Sequence, residues 1–347
     1  MSSLRLRRHP THDLRWGDLD RYADRTVFQT REWIAFVAET QGGTPVVADV
    51  LDGASVVGRY TGVLVRRFGV PILGSSFPGW TTPYIGFNLD DGYARRDALA
   101  ALERFAFGEL GALHLEVSDR GFVPEDGAAL GFHVGAYETY ETDLSRDESV
   151  LFGAMNSACR RCVRKAEKSG LVIEHADDEQ FADEYYAQLG DVFAKQGKVP
   201  TYPLGRVRAL VRHMRGTGNV LLLRARSPEG VCVATGIYPA HNQVAEFWGN
   251  ASWREHQHLR PNEALHWYAM RWWKARGATV FDWGGGGRYK EKYGVVPARV
   301  PWFRKSRFRA LEAVRDGARR AFEFRQRLLA RRRLGATAAG DGGSDDD

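Results

Sequence analysis

The spacing of apolar residues predicts alternating helices and strands in the first part of the chain. Helical spacing occurs at 30–40 and 94–110, and the shorter repeat of strands occurs at 45–51, 55–66 and 113–117. Asp52-Gly53 between the first two strands is typical of a hairpin turn. Residues 74–87 are rich in Gly, Pro and aromatic side chains, so we interpret them as a long loop that contacts substrate.

A second set of elements begins near Leu144. Ser145 and Glu148 form a capping-box pattern, and we expect one helix from there to Gly170. Further helices are predicted at 180–195, 204–215 and 261–276, and strands at 220–225, 231–238, 243–250 and 279–283. This order is a longer version of the order in the first part. The predicted fold class is therefore α/β (α+β), with two mixed halves of similar plan.

Length and composition indicate an ordinary globular protein of about two domains. The 347 residues include no apolar run of the length that a membrane-spanning helix needs. Three cysteines cannot all pair, and no apolar segment follows the basic N-terminus, so we expect a cytoplasmic protein. The net charge is +6. A predicted basic amphipathic helix, 305–334, carries more positive charge than this net value, so the rest of the chain is slightly acidic, and a disordered acidic tail is expected at 335–347.

Several common motifs are absent from the sequence. Neither a P-loop nor a dinucleotide-binding glycine pattern fits the glycines at 284–287. Cys159 and Cys162 lack a second pair of ligands, so we predict no metal site. A Gly-x-Ser-x-Gly elbow for a serine nucleophile is also missing. One distinctive segment remains, in which a strand runs into four glycines and then into basic and aromatic residues: 281–294, FDWGGGGRYKEKYG.

This segment resembles the aromatic–Lys–x–x–aromatic–Gly segment of the FemAB/FemX-type peptidyltransferases, which belong to the GNAT acyltransferase superfamily. Tyr289-Lys290 stands where that family commonly has Phe-Lys. The resemblance covers roughly residues 25 to 305 and implies two tandem GNAT-like domains with mixed, mostly antiparallel sheets. We place them at 1–144 and 145–304. A sustained heptad repeat is missing, so the coiled-coil arm of FemA and FemB is not expected.

The resemblance implies acyl transfer to an amine. The donor would be aminoacyl-tRNA or acyl-CoA as a co-substrate, with no bound cofactor. A positive charge is then needed beside the carbonyl oxygen, and Lys290 after the glycine turn can supply it. Lys290, Tyr289 and Asp119 are the predicted catalytic residues. The proton acceptor stays open between Asp119, Asp282 and the substrate's own groups.

Further residues are predicted to bind substrate. Tyr84 in the 74–87 loop would position the acceptor, and a basic helix face would hold phosphates. The predicted set is Tyr84, Trp248, Asn250, Arg254, Asp282, Trp283, Arg288, Arg161, Arg164 and Lys165.

Three functions remain open from the sequence. The first is aminoacyl transfer from tRNA to an amine of a peptidoglycan precursor or small peptide metabolite, which the basic C-terminus favours. The second is acyl-CoA-dependent acylation of a sugar or amino-acid amine. It is weakened because residues 253–263 lack the glycines of a CoA-binding loop. The third is a non-enzymatic protein that binds RNA or a membrane surface through the 305–334 helix. Predicted partners are therefore tRNA, a peptide or amino-sugar acceptor, and a membrane surface.

Overall fold

The computed structural model describes residues 4–77, 79–194, 198–308 and 310–311. The α-helices are α1 Arg31–Gln41, α2 Arg95–Arg104, α3 Pro124–Ala128, α4 Glu148–Ala154, α5 Ser157–Lys168, α6 Gln180–Ala194, α7 Leu204–Met214 and α8 Pro261–Lys274. The strands are β1 Arg5–Arg8, β2 Gly43–Asp52, β3 Ser55–Arg67, β4 Val70–Gly74, β5 Gly86–Leu89, β6 His114–Ser118, β7 His133–Asp143, β8 Val172–His175, β9 Val220–Arg226, β10 Cys232–His241, β11 Val244–Glu246, β12 Gly249–Ser252, β13 Val280–Asp282 and β14 Val296–Ser306.

The described strands join into one mixed sheet that runs through both halves of the chain. Its order is β1-β2-β3-β4-β6-β14-β7-β13-β11-β10-β9-β8, with β5 beside β3 and β12 beside β10. The pairs β4–β6 and β11–β13 are parallel, and the other pairs are antiparallel. The last strand, β14, lies between β6 and β7 of the first half. The C-terminal part of the second half therefore completes the sheet of the first.

A cleft opens where two central strands separate. The parallel strands β11 and β13 are in register as far as Glu246 and Asp282. Phe247 N still donates to the Asp282 carbonyl at 2.8 Å. Beyond that bond β12 follows β10, whereas the chain after β13 turns away through Gly284. Space for a ligand therefore arises at the carboxyl ends of two parallel strands, where open sheets commonly bind ligands.

Apolar side chains from both halves share one core cluster. Trp33 of α1, Phe181 of α6 and Leu210 of α7 are all fully buried within it. Helix α1 packs directly against α7, and His213 Nε2 lies 2.8 Å from a carboxylate oxygen of Glu39. The two halves are thus held together by a continuous apolar core as well as by the sheet.

The mixed α/β prediction is confirmed, but several elements differ from the expected ones. The single helix expected after Ser145 is two helices, because Met155 and Asn156 adopt extended backbone angles. Asn156 caps the second of them by accepting from Cys159 N at 2.8 Å. The expected strand 243–250 is split into β11 and β12. Six further strands were not predicted: β1, β4, β5, β7, β8 and β14.

The C-terminal helix predicted at 305–334 overlaps the last strand, because Lys305 and Ser306 belong to β14. Beyond that strand, residues 309 and 312–347 lie outside the described residues. Most of the predicted helix and all of the predicted acidic tail therefore lie there. The longest described helix, α6, has 15 residues, and none in the described part of the chain has the length and apolar character needed to cross a membrane.

The insertion of β14 predicts a specific loss of stability. Phe303 is fully buried, with ring centroids 4.8 Å from Phe122 and 6.3 Å from Phe132. Phe303→Ala should lower the free energy of unfolding by about 3–5 kcal/mol, because it leaves a cavity between strand and helix layers. Phe68, which is fully exposed, is the matched control, and Phe68→Ala should change the same quantity by about 0.5 kcal/mol or less. Urea unfolding measures both, and equal changes would contradict the assigned place of β14.

Candidate active site

A cavity of about 460 Å³ lies in the cleft between β11 and β13. A loop of which residues 75–77 and 79–85 are described covers one side, and β7 and β14 form another wall. Most of its surface is apolar or aromatic, and one carboxyl group lines it. The lining residues are Ser76, Phe77, Gly79, Thr81, Thr82, Pro83, Ala136, Tyr137, Glu246, Phe247, Trp248, Gly284 and Trp302.

The buried carboxylate of Asp282 joins the segments around this cavity. Oδ2 accepts from Tyr84 Oη at 3.1 Å and from Arg120 Nη1 at 3.2 Å. Oδ1 accepts from Thr139 Oγ1 at 2.5 Å and from Gly284 N at 3.0 Å. The four donors come from the loop, the turn after β6, β7 and the glycine turn. These donors fill the acceptor positions of the carboxylate. Asp282 therefore fixes the orientation of the four segments.

Three acidic residues lie side by side across neighbouring strands. The strand register places Asp282 of β13 opposite Glu246 of β11 on one side and Glu141 of β7 on the other. Arg120 bridges two of them, with Nη2 at 2.8 Å from Glu141 and Nη1 at 3.2 Å from Asp282. Glu246 is the member of this row that lines the cavity.

Glu246 combines burial with an unsatisfied oxygen. The residue is 3% exposed, and its Oε2 has no hydrogen-bond partner among the described residues. Burial raises the pKa of Glu246 well above its usual range, and the charge of Asp282 raises it further, while Arg120 and Lys290 oppose this shift. A carboxyl group with a raised pKa is a better proton acceptor than an ordinary glutamate, and such groups are typical of catalytic sites.

Lys290 supports the glycine turn from below. Its Nζ donates to the carbonyl oxygens of Trp283 and Gly284 at 2.5 Å each and of Gly285 at 2.9 Å. Burial lowers the pKa of Lys290 to about 8, although Asp282 and Glu246 favour the charged form. Gly284 itself has a φ of 60°, and a Cβ there would lie 2.5 Å from the Phe247 carbonyl oxygen. The turn therefore requires glycine and is fixed by the ammonium group.

The loop over the cavity is attached to the second half by a hydrogen bond. Trp248 Nε1 donates to the Thr81 carbonyl at 3.0 Å. Thr81 has a φ of 57°, which is an unusual value for a β-branched residue. On the other side of the loop, Trp33 Nε1 donates to Thr82 Oγ1 at 3.0 Å. Strained backbone held by surrounding contacts is characteristic of ligand-binding segments.

The structure brings four of the predicted site residues together. Asp282 and Tyr84 are hydrogen-bonded beside the cavity, Trp248 lines it, and Lys290 fixes the turn that borders it. Trp283 belongs to the core instead, because it is fully buried, stacks on Tyr293 and donates to Thr142 Oγ1 at 2.9 Å.

Asp119 lies in a different place from the main cavity. Its carboxylate accepts from Phe87 N at 2.6 Å and from Gly121 N at 2.7 Å, and Arg95 Nε is 3.4 Å away. The residue lines a separate cavity of about 250 Å³ that also contacts Tyr84 and Arg120. The structure therefore gives Asp119 a turn-stabilising environment, and it does not place this carboxylate among the residues of the main cavity.

The remaining predicted residues lie outside the lining of the main cavity. Asn250 is on β12, and Arg254 borders a shallow surface depression with Asp191. Tyr289 is 56% exposed, and the Arg288 side chain is 94% exposed. The predicted phosphate-binding residues form an exposed cationic face on α5: Arg161, Arg164 and Lys165.

Sequence reasoning missed Glu246, Arg120 and Tyr137. Glu246 was detectable as an acidic residue within the apolar run 244–248, which is unusual for a buried strand. Arg120 directly follows Asp119 in the turn after β6, where strand periodicity gives no sign that its side chain reaches Asp282. No group of residues suited to hold a metal ion occurs in the described ranges.

The role of Lys290 gives a prediction that needs no substrate. In Lys290→Met, three carbonyl groups lose their donor, so the unfolding free energy should fall by about 1–3 kcal/mol. Hydrogen exchange at the amides of residues 284–287 should become faster. Lys292→Met is the control, because Lys292 pairs at 2.7 Å with Glu263 and is partly exposed, so its loss should cost about 1 kcal/mol or less. Unchanged exchange in Lys290→Met would refute this role.

Comparisons with known proteins agree with this architecture. Residues 154–293 match the family model of a GNAT acetyltransferase domain. A search of curated proteins gave no significant match.

Solved structures resemble the chain over most of its length. FemX has 13% sequence identity and a TM-score of 0.69, covering 85% of this chain and 96% of FemX. The C-terminal domain of a putative lysylphosphatidylglycerol synthetase from Agrobacterium fabrum has 12% identity and a TM-score of 0.55, covering 88% of this chain and 96% of that one. A tandem GNAT protein from the clavulanic acid biosynthesis pathway has 14% identity and a TM-score of 0.50, covering 87% and 98%. Residues 154–293 thus match a GNAT acetyltransferase domain, and the chain as a whole shares the fold of FemX.

Proposed function

We propose that the chain transfers an aminoacyl group from aminoacyl-tRNA to an amine of a small peptide metabolite or a peptidoglycan precursor. The observation that carries this proposal is the exposed cationic face of α5, which begins beside the glycine-turn segment. Asn156 N, at the start of α5, donates to the Lys292 carbonyl at 2.9 Å. An anionic donor bound along α5 would therefore lie next to the segment that holds Lys290.

The cations of α5 are available to a ligand. Among the described residues, no ion pair involves Arg161, Arg164, Lys165 or Lys168. Arg164 also lies over the Phe152 ring, 5.2 Å from its centroid. A row of unpaired arginine and lysine side chains on one helix suits a polyanion such as the phosphate backbone of tRNA.

The start of α8 argues against a diphosphate bound in the manner of CoA. A helix N-terminus binds phosphate through free N–H groups and its positive dipole end. Here Pro261 removes one donor from the first turn, and Arg260 precedes it with a φ of 59°. Glu263 adds a carboxylate to the same turn, where Lys292 pairs with it at 2.7 Å. This arrangement supports a donor other than acyl-CoA.

The chemistry required is amide formation at the cavity. The amine nitrogen attacks the carbonyl carbon of the aminoacyl ester, and negative charge develops on the carbonyl oxygen. The ammonium of Lys290 is buried beneath the turn that borders the cavity, so its positive charge favours that negative charge through a medium of low dielectric. Collapse of the intermediate breaks the ester C–O bond and releases the tRNA hydroxyl.

A second candidate is acyl transfer from acyl-CoA. The match of residues 154–293 to an acetyltransferase domain favours it, because GNAT domains use acyl-CoA as a co-substrate. The two candidates differ in the donor and share the cavity chemistry. A direct test supplies purified protein with radiolabelled aminoacyl-tRNA or with radiolabelled acetyl-CoA, together with a small-molecule extract as the acceptor. Amide product formed from the tRNA pool supports the proposal, and product formed only from acetyl-CoA refutes it.

The α5 surface gives a prediction for tRNA binding. Arg161→Glu should weaken aminoacyl-tRNA binding. In a plot of the logarithm of the affinity against the logarithm of the salt concentration, the slope should become shallower by about one unit. Arg96→Glu is the matched control, because Arg96 is an exposed arginine on α2 in the first half. Filter binding at several salt concentrations measures both slopes. If the two variants behave alike, the tRNA does not bind along α5.

A further inference from the structure

We infer that the acceptor is a primary amine with a compact apolar side chain and no phosphate group, and that its nitrogen binds Glu246 in the 460 Å³ cavity. This inference deepens the proposed function and rests on it only for the identity of the donor. It makes Glu246 the proton acceptor of the reaction. It also favours a small metabolite over a nucleotide-linked precursor.

The first argument is the unsatisfied oxygen of Glu246. A buried polar atom without a partner carries a large free-energy cost, so such atoms in native proteins call for an explanation. Glu246 Oε2 is an acceptor in a residue that lines the cavity. An ammonium or amine nitrogen is the complementary donor, and the pair would be a charge-assisted hydrogen bond.

The second argument is the absence of cationic groups from the lining. None of the described lysines or arginines lines the cavity. The nearby cations are occupied, since Arg120 serves Asp282 and Glu141, and Lys290 donates to three carbonyl groups. A phosphate in the cavity would therefore face a carboxyl group with no compensating charge, which is unfavourable in a buried site.

The third argument is the aromatic character of the walls. Phe77, Tyr137, Phe247, Trp248 and Trp302 surround the space around Glu246. A volume of about 460 Å³ is within the usual range of small-molecule sites. Aromatic walls favour an apolar group of matching size and also stabilise a cation next to their ring faces.

The proton balance of the reaction follows from this placement. The attacking nitrogen forms the C–N bond and loses one proton to the Glu246 carboxylate. The bond from the carbonyl carbon to the leaving oxygen breaks, and that oxygen gains one proton, which returns Glu246 to its carboxylate form. An amine and an ester thus give an amide and an alcohol. The charged and titratable groups that face Glu246 are Asp282, Arg120, Lys290, Tyr84 and Tyr137.

The test measures acceptor binding without any donor. Phenethylamine, tryptamine and hexylamine are titrated into the protein, and the heat of binding is followed by isothermal titration calorimetry. At least one amine should bind saturably, and Glu246→Gln should weaken it roughly ten- to a hundredfold, as expected for the loss of a charge-assisted hydrogen bond. Phenylethanol has the apolar group without the nitrogen, and its binding should be unchanged by Glu246→Gln. Uridine diphosphate should not displace the bound amine.

Glu138→Gln is the matched control variant, because Glu138 is on β7 but exposed and paired with Arg299. It should bind each amine as the unaltered protein does. Equal amine binding by Glu246→Gln and Glu138→Gln, displacement by uridine diphosphate, or no saturable binding of any amine would each overturn the inference. Because no donor is present, such a failure is distinct from a failure of aminoacyl-tRNA to support transfer.

Discussion

The burial of the Asp282 carboxylate constrains the whole centre of the molecule. A buried carboxylate must be compensated by donors that the protein supplies, and here four donors come from four segments, three of which are at least 143 residues from Asp282 in sequence. The loop that carries Tyr84, the turn after β6, β7 and the glycine turn can satisfy this carboxylate only when both halves of the chain are in place. The position of the cavity walls is therefore a consequence of electrostatic compensation as well as of apolar packing.

Glu246 lies beside Asp282 in the strand register but has a different environment. Asp282 has its acceptor positions filled by protein groups, whereas Glu246 Oε2 has no partner among the described residues. The two neighbouring carboxyl groups thus have different roles. Asp282 orients the segments of the site, and Glu246 remains able to accept a proton from a ligand. Lys290 contributes to both, since its positive charge opposes the rise in the pKa of Glu246 while its hydrogen bonds fix the turn.

The sequence allowed the fold class and part of the site to be predicted, and the misses have physical reasons. The 281–294 segment is local, so Asp282 and Lys290 could be identified from their neighbours alone. The strand β14 contains Pro297 and Pro301, which obscure a strand pattern, and its partners are more than 150 residues away. The roles of Glu246 and Arg120 depend on which segments the fold brings together. The periodicity of apolar residues does not specify that pairing. The cavity could therefore not be assembled from spacing alone.

The distribution of charge defines two surfaces, one suited to an anionic ligand and the other to a cationic ligand. The exposed face of α5 presents cations that form no ion pair with the described residues, while the cavity presents a carboxyl group within aromatic walls. An anionic donor and a cationic acceptor would be drawn to different surfaces, and each would be repelled from the surface of the other. The glycine turn lies between them, because it borders the cavity through Gly284 and continues into the segment that contacts the start of α5. Lys290 holds this turn in place, so the residue that the sequence motif singles out stabilises the boundary at which the two substrates would meet.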